Sequence, residues 1–332
     1  MPTMGLKRPW ATLGNLMSRS HAGAMPNPLC PVTGEPAARL VQWIRPRFLI
    51  DLWRYGMRVD ARSSFGAVER FGLWESPTGL HFFDPMVEGD HAFYTQFYAN
   101  AIDRGLWARD CLRQEFHLAA SHIAPGARVL DVGCGFAEFR RVIPQASYTG
   151  LDPHFAGEGE IAEVRNETLR AHLAVHAGGY DAVCAFQVLE HLRAPTEMFA
   201  DMVAATRPGG LVIVGVPHVP SALTRFPNNP VNAPPHHLTW WTRAALVALA
   251  ERHGASVESI ENVPWGDCDS LLYWMERCSP LRCRDIYYRN RLWWHAAVLI
   301  GLAGGSMIHA LRGTPRTTDE GVGLIMMARR KE

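Results

Sequence analysis

The chain has 332 residues, 48% of them hydrophobic and 20% charged, a balance that excludes a disordered or fibrous protein and leaves room for a substantial core in one large domain or two unequal ones. Lys and Arg number 33 against 32 Asp and Glu, so no overall field draws the chain to nucleic acid or to acidic partners. Seven cysteines, odd in number and nowhere in a C-x-x-C pair, argue against a disulfide framework; with no apolar run suited to a signal peptide in the first thirty residues, they point to a reducing cytoplasm.

Residues 1–39 are rich in Pro, Gly and Ser and read as a mobile tail. Residues 40–112 are too apolar for a linker: Trp43, Trp53, Phe71, Trp74, Phe82, Phe83, Phe93 and Phe97 crowd them. The four-residue spacing of Phe93 with Phe97, and of Tyr94 with Tyr98, suits a helix with a broad apolar face, so this stretch is expected to form an aromatic-rich N-terminal cap packed on the main domain. From Leu112 onward helical and extended segments alternate, the pattern of a parallel sheet covered on both faces. A helix ending before Pro125-Gly126 leads to a strand at 128–132; 139–143 reads as a helix, 147–151 as the second strand and 161–164 as a short third. Asn166 is placed to cap a helix through Leu169 and Leu173 to Gly178, and 181–186 is the fourth strand. A helix carrying Met198, Phe199, Met202 and Val203 stops at Pro208-Gly209-Gly210, and 211–216 is a continuous apolar strand of the buried parallel kind. Thr242 caps a helix over 244–253, and strands at 256–263 and 321–328 complete a doubly wound, mostly parallel seven-stranded α/β domain over 113–332, with a hydrophobic insertion at 264–320.

The segment VLDVGCGFAEF places a strand, two glycines and a helix start in succession, which brings backbone N–H groups and a positive helix end close to a ligand. A dinucleotide fingerprint would want Gly or Ala three residues after its second glycine; Glu138 stands there, and Asp131 lies two before the first, which tilts against a nicotinamide cofactor. VLDVGCG, YTGLDP, YDAVCAFQVLEHL and RPGGLVIVGVP, in that order within 113–220, resemble the ordered motifs of the class I S-adenosylmethionine-dependent methyltransferases, and GVGLIMMARR extends the similarity toward the C-terminus. The resemblance implies a Rossmann-like sheet and S-adenosyl-L-methionine as cofactor. On it, Asp131, Gly133, Cys134, Gly135 and Phe136 would hold the methionine end, with Gln187, Val188 and His191 beside it, while Glu167 and Thr168 would border the adenine. Asp152, followed by Pro153, stands seventeen residues after Gly135, near the spacing at which an acid accepts both ribose hydroxyls. Ala137 replaces a glycine frequent in that family, and its methyl is read as tolerated.

Transfer from a sulfonium needs mainly alignment and exclusion of water, which can contribute up to roughly 7–11 kcal/mol. A hydroxyl acceptor also needs its proton removed, and His is the usual residue for that near neutral pH. The catalytic candidates are His236 and His237, in the proline-stiffened NNPVNAPPHHLTWWT, and His218, directly after strand five at the carboxyl edge of the sheet; packing is the alternative for each. His191, in LEHL, reads as a residue at the mouth of the site. O-methylation of a small molecule, saccharide or lipid-linked intermediate follows as the expected reaction. RNA or protein methylation is less attractive because no long basic stripe exists and Phe186-Gln187-Val188-Leu189 replaces the Asn-Pro-Pro-Tyr type signature of nucleobase amino methyltransferases; a non-catalytic assembly protein is the third reading.

CPVTGEP at Cys30 and WESPTGLHFF at Trp74 resemble remnants of a zinc-ribbon N-terminal region found in some sugar and natural-product methyltransferases. Only Cys30 survives of four soft ligands, so no metal is expected. Residues 292–311 run twenty positions without a formal charge, long enough to span a bilayer. Since 321–328 must rejoin the same sheet, the segment is expected to form one or two helices acting as a lid, a dimer surface or an interfacial patch. Arg282, Arg284, Arg289, Arg291 and Arg312 flank it and suggest peripheral contact with the inner face of a membrane through 282–312.

Overall fold

Two sheets organise the protein, and one of them borrows a strand from the far half of the chain. The computed structural model describes residues 26–103, 112–153, 163–176, 178–317 and 321–332. The first sheet begins with β1 (Arg39–Ile44), followed by α1 (Pro46–Leu52), a π-helical turn at Trp53–Met57, α2 (Arg62–Phe65), β2 (Phe71–Glu75), β3 (His81–Asp84) and α3 (His91–Asp103). Pro46 starts α1 where its missing N–H leaves nothing unsatisfied.

The larger unit runs α4 (Gln114–Ala120), β4 (Arg128–Val132), β5 (Ser147–Leu151), β6 (Val164–Arg165), α5 (Leu169–Val175), β7 (Tyr180–Phe186), α6 (Pro195–Ala205) and β8 (Thr206–Pro217), then α7 (Ala222–Arg225), β9 (Thr239–Trp240), α8 (Arg243–Arg252), β10 (Ala255–Val263), α9 (Ser270–Cys278), α10 (Leu292–Arg312) and β11 (Gly323–Arg330). Seven of these strands form one sheet in the order β10-β11-β8-β7-β4-β5-β6. Pairs within β6-β5-β4-β7-β8 are parallel, and β11 lies antiparallel between β8 and β10. The order turns back at β4, so the β4 and β7 exits diverge and open a crevice at the carboxyl edge. Side chains alternate between two cores: Val212, Val214, Val216, Leu324 and Met326 pack with α6 and α8 on one face, while Leu211, Ile213, Ile325 and Met327 pack with Phe116 and Phe139 on the other.

The four-stranded sheet has the order β1-β2-β3-β9, so the cap is closed by residues from beyond β8. Its own core gathers Leu49, Trp53, Phe71, Phe83, Phe93, Trp240 and Trp294. Trp74, Leu80 and Phe82 join the core of the main sheet instead, which fixes the cap to that face.

Several local expectations are corrected. Residues 26–38, grouped above with a mobile tail, are packed: Cys30, Val32 and Ala37 are buried in the main core. Residues 139–143 do not form an α-helix; a 3-10 turn spans Glu138–Val142, because Pro144 follows directly and disfavours helical backbone at Ile143. The third strand is Val164–Arg165, and residues 161 and 162 of the expected strand lie outside the described residues. Thr168, not Asn166, caps α5, its Oγ1 accepting the Ala171 N–H at 3.2 Å. α6 ends at Ala205, ahead of Pro208-Gly209-Gly210, which forms a register break at the start of β8 where Tyr180 pairs with Thr206 and Ala182 with Leu211. Cys268 is disulfide-bonded, where free thiols were expected. Residues 292–311 form one helix, α10, which packs on α9.

Candidate active site

β4 delivers Asp131 to the carboxyl edge, and the chain turns at once through Gly133 and Gly135, with φ of 68° and 53°. Glycine is required here: a side chain at Gly133 would place its Cβ 2.6 Å from Val188 Cγ2, beyond the strain of a left-handed backbone. The turn is stitched to β5 by the N–H groups of Gly133 and Cys134, both donating to the Leu151 carbonyl at 2.7 and 3.1 Å. Gly135 donates its N–H to Asp152 Oδ2 at 3.1 Å, so the second acid stands against the loop. Ala137 is buried with φ 56°, so its methyl is accommodated, but the backbone adopts a conformation that costs a non-glycine residue about 1–2 kcal/mol.

Asp131 is buried, and its Oδ2 accepts the Tyr148 hydroxyl at 2.8 Å. Burial outweighs that hydrogen bond and pushes its carboxyl up to about 7. Half-buried Asp152 at the end of β5 faces the turn, and a Cβ built on Gly135 would meet no protein atom within 4 Å. This is a glycine cradle with backbone N–H groups, an open outer side and a carboxylate beside it, a donor and acceptor set that fits an adenosyl group.

The remaining cofactor candidates divide in two. Gln187 has φ 57°; its N–H donates to the Gly215 carbonyl at 2.8 Å and its Nε2 to Glu115 Oε2 at 3.0 Å, while Val188 touches Gly133, so both border the turn. Phe136 is half-buried beside the turn, and Pro153 is exposed at the end of a described stretch. Glu167 and Thr168 serve the β6–α5 junction: Glu167 Oε1 takes the His172 ring at 2.8 Å, and Thr168 caps the helix. Sequence reasoning missed Glu115 and Arg113, an ion pair at 3.3 Å beneath Gln187 in which Glu115 is buried; nothing in their local pattern signals it.

The histidines converge as a group. His191 follows β7 in a 3-10 turn, Leu189–His191, three residues after Val188, and its ring lies 4.4 Å from that of His236 and 5.0 Å from that of His237. His236 and His237 stack at 4.6 Å. Donor atoms of all three lie within 4.8 Å of one another. His218 is half-buried and pairs with Trp241 through the backbone; it is not in this group. Burial holds His191 down near 4 and the other two well below 6.5, so all three are neutral at physiological pH. Beside them Glu190 is fully buried, with neither carboxyl oxygen hydrogen-bonded among the described residues, and burial pushes it up to about 8.

The cap supplies the wall behind this group. Trp53 donates its indole N–H to the Pro234 carbonyl at 2.7 Å, Phe97 lies 4.5 Å from the His236 ring, and Tyr94 approaches both His191 and His236. The α3 spacing thus serves packing through Phe93 and site construction through Tyr94 and Phe97.

Strand order, glycine turn and the acids after β4 and β5 together define a class I S-adenosylmethionine-dependent methyltransferase domain. Residues 105–260 match a family described as a methyltransferase domain. The ubiquinone biosynthesis O-methyltransferase of an Escherichia coli strain is 34% identical over 97 residues, covering 26% of this chain and 40% of that protein. The chain thus spans well under half the length of the curated relatives it matches. Among solved structures, a Burkholderia thailandensis 1,6-didemethyltoxoflavin-N1-methyltransferase with bound 1,6-didemethyltoxoflavin and S-adenosylhomocysteine is 14% identical, covering 80% of this chain and 97% of that one at a TM-score of 0.45. An S-adenosylmethionine-dependent methyltransferase from Mesorhizobium loti is 17% identical, covering 65% and 98% at a TM-score of 0.40.

Proposed function

We propose that this chain transfers the methyl group of S-adenosyl-L-methionine to an oxygen of a small-molecule acceptor, a saccharide or a lipid-linked intermediate among them. The carrying observation is the contiguous path from Gly133 through Val188 to His191 and on to His236 and His237, which joins a cofactor cradle to a wall of neutral imidazoles under an aromatic cap. The name of the Escherichia coli relative, an O-methyltransferase of ubiquinone biosynthesis, supports oxygen as the methylated atom. When bound, the cofactor supplies an activated methyl group. Asp152 would hold the ribose, Asp131 and the glycine turn the methionine arm. One of His236 and His237 takes up the proton of the acceptor hydroxyl as the new bond forms while the other helps orient it, and the cap excludes water. His218, at the exit of β8, would line the acceptor's approach.

Titration of the purified chain with S-adenosylmethionine should show one binding site, weakened about 10- to 100-fold by Asp152→Ala, the worth of hydrogen bonds to a charged group. Incubation with methyl-labelled cofactor and a host metabolite and lipid extract should label a product. The double variant His236→Gln/His237→Gln should keep cofactor affinity and lose that labelling. Failure of the wild-type chain to bind the cofactor would end the proposal.

The outer face of α10 supports a second part of the same reading, peripheral contact with an anionic cytoplasmic membrane. Leu292, Trp293, Leu299, Ile300, Leu302, Met307 and Leu311 are exposed on it, and only 22% of its most apolar window is buried. Such a seat would suit an acceptor that resides in lipid.

A further inference from the structure

We propose that His191, His236 and His237 form a binding site for one divalent ion of the zinc class. The donor set joins two segments far apart in the chain, which is why a search for cysteine patterns does not reveal it: His191 comes from the turn after β7, and the adjacent pair comes from the proline-rich loop before β9.

Two of the three rings are already oriented as metal-bound imidazoles are, with one nitrogen committed to an acceptor and the other left to the ion. His191 Nδ1 donates to the His236 carbonyl at 2.6 Å, which leaves Nε2 as the candidate ligand. His237 Nδ1 lies 3.2 Å from Asn232 Oδ1 and donates to it, again leaving Nε2. Asn232 is itself anchored, its backbone carbonyl accepting the Tyr288 hydroxyl at 2.7 Å and the Trp240 indole at 3.0 Å. The third ring supplies the independent observation: His236 is 6% exposed, and its Nδ1 has no hydrogen-bond partner among the described residues. A buried ring nitrogen left in that state costs about 1–3 kcal/mol, and a metal ion would satisfy it.

Geometry and chemistry favour a borderline ion that accepts nitrogen donors. A tetrahedral ion with nitrogen at 2.0–2.1 Å wants donors about 3.4 Å apart, so the present group, within 4.8 Å, closes on it by side-chain rotation of about 1–1.5 Å. Imidazoles suit zinc and its transition-metal neighbours, whereas Mg²⁺ and Ca²⁺ prefer oxygen. Glu190 Oε1 lies 3.8 Å from His191 Nε2 and has no hydrogen-bond partner among the described residues, which places its carboxyl group, once the ion displaces its proton, where a fourth ligand would stand. With that position taken by Glu190 the ion holds the His loop against the cap. With it open, the ion would polarise an acceptor oxygen and replace the imidazoles as the group that readies the hydroxyl, a consequence that depends on the methyl-transfer reading while ion binding does not.

The test is to strip the full chain with a chelator and titrate it with Zn²⁺ alone by calorimetry and with Co²⁺ alone by visible absorption. We expect one ion per chain and the intense absorption of tetrahedral Co²⁺. His237→Ala should weaken binding more than tenfold. Asn232→Ala, which removes only the acceptor that orients His237, should weaken it 10- to 100-fold, with circular dichroism confirming that each variant is folded. Binding without defined stoichiometry, a Co²⁺ spectrum no stronger than that of the aqueous ion, or an affinity unchanged in folded His237→Ala would each overturn the proposal. Should neither variant fold, the wild-type Co²⁺ spectrum alone decides. Cofactor titration on the stripped chain reads the methyl-transfer proposal separately, so either can fail without the other.

Discussion

Asp131 shows how much one buried carboxyl can carry. Its pKa rises from 3.8 in the free side chain to about 7 in the folded protein, chiefly through burial, with the Tyr148 hydroxyl pulling the other way. Between those values the folded chain retains a proton that the unfolded chain has released, so the contribution of this group to stability is present at low pH and is lost as pH rises toward 7. Asp131→Asn keeps the shape and removes the charge. Without cofactor it should therefore melt higher than wild type at pH 8, by about 2–4 °C for each kcal/mol recovered, and the gain should vanish near pH 4. Thermal denaturation at the two pH values checks this, and cofactor affinity should fall in the same variant. The positions of Asp131 and Asp152 at the ends of β4 and β5 were readable because glycine spacing after a strand has a fixed physical meaning. Glu115 was not: its partner Gln187 is 72 residues away, and a glutamate in the first turn of a short helix looks like any solvated charge.

Elements were legible where periodicity was strong and unreadable where pairing was distant. The alternation of β8 and β11 between two cores is a two-residue repeat that any apolar strand displays, and Thr242 announces α8 by capping it, its Oγ1 accepting the Ala245 N–H at 3.1 Å. β9 is two residues long and pairs with a hairpin more than 150 positions earlier, so nothing local marks it as a strand. α10 is the instructive helix. Its composition suggests a membrane span, yet Gly301, Gly304 and Gly305 let one side approach α9, and a Cβ at Gly305 would stand 2.6 Å from the Met275 backbone nitrogen. Gly305→Leu should push α9 and α10 apart and cost about 1–3 kcal/mol in urea denaturation. Leu302→Ala, on the exposed side of α10, should stay within about 0.5 kcal/mol of wild type.

At the scale of the whole molecule, the cofactor cradle belongs to the main sheet, the histidine group joins that sheet to the cap, and α10 presents much of its apolar surface away from the cores. Trp294 and Ala297 are buried inward, while Leu292 and Leu311, at opposite ends of the helix, are among the most exposed apolar side chains. Flotation with vesicles containing anionic lipid should carry the protein up, less so at high salt, and Leu299→Glu/Ile300→Glu should leave it in the dense fraction. No flotation with any lipid composition would remove the membrane from the account.

The loop that carries His236 and His237 has a mechanical consequence. Leu238 receives the Phe83 N–H from the cap at 3.0 Å and gives its own N–H to the Glu190 carbonyl at 2.7 Å, while Trp241 is tied in both directions to the exit of β8. The imidazoles therefore ride on a strut riveted at both ends. Moving the cap away from the main sheet would break these bonds and scatter the three rings, so the same few peptide groups that join the two sheets hold the rings in register.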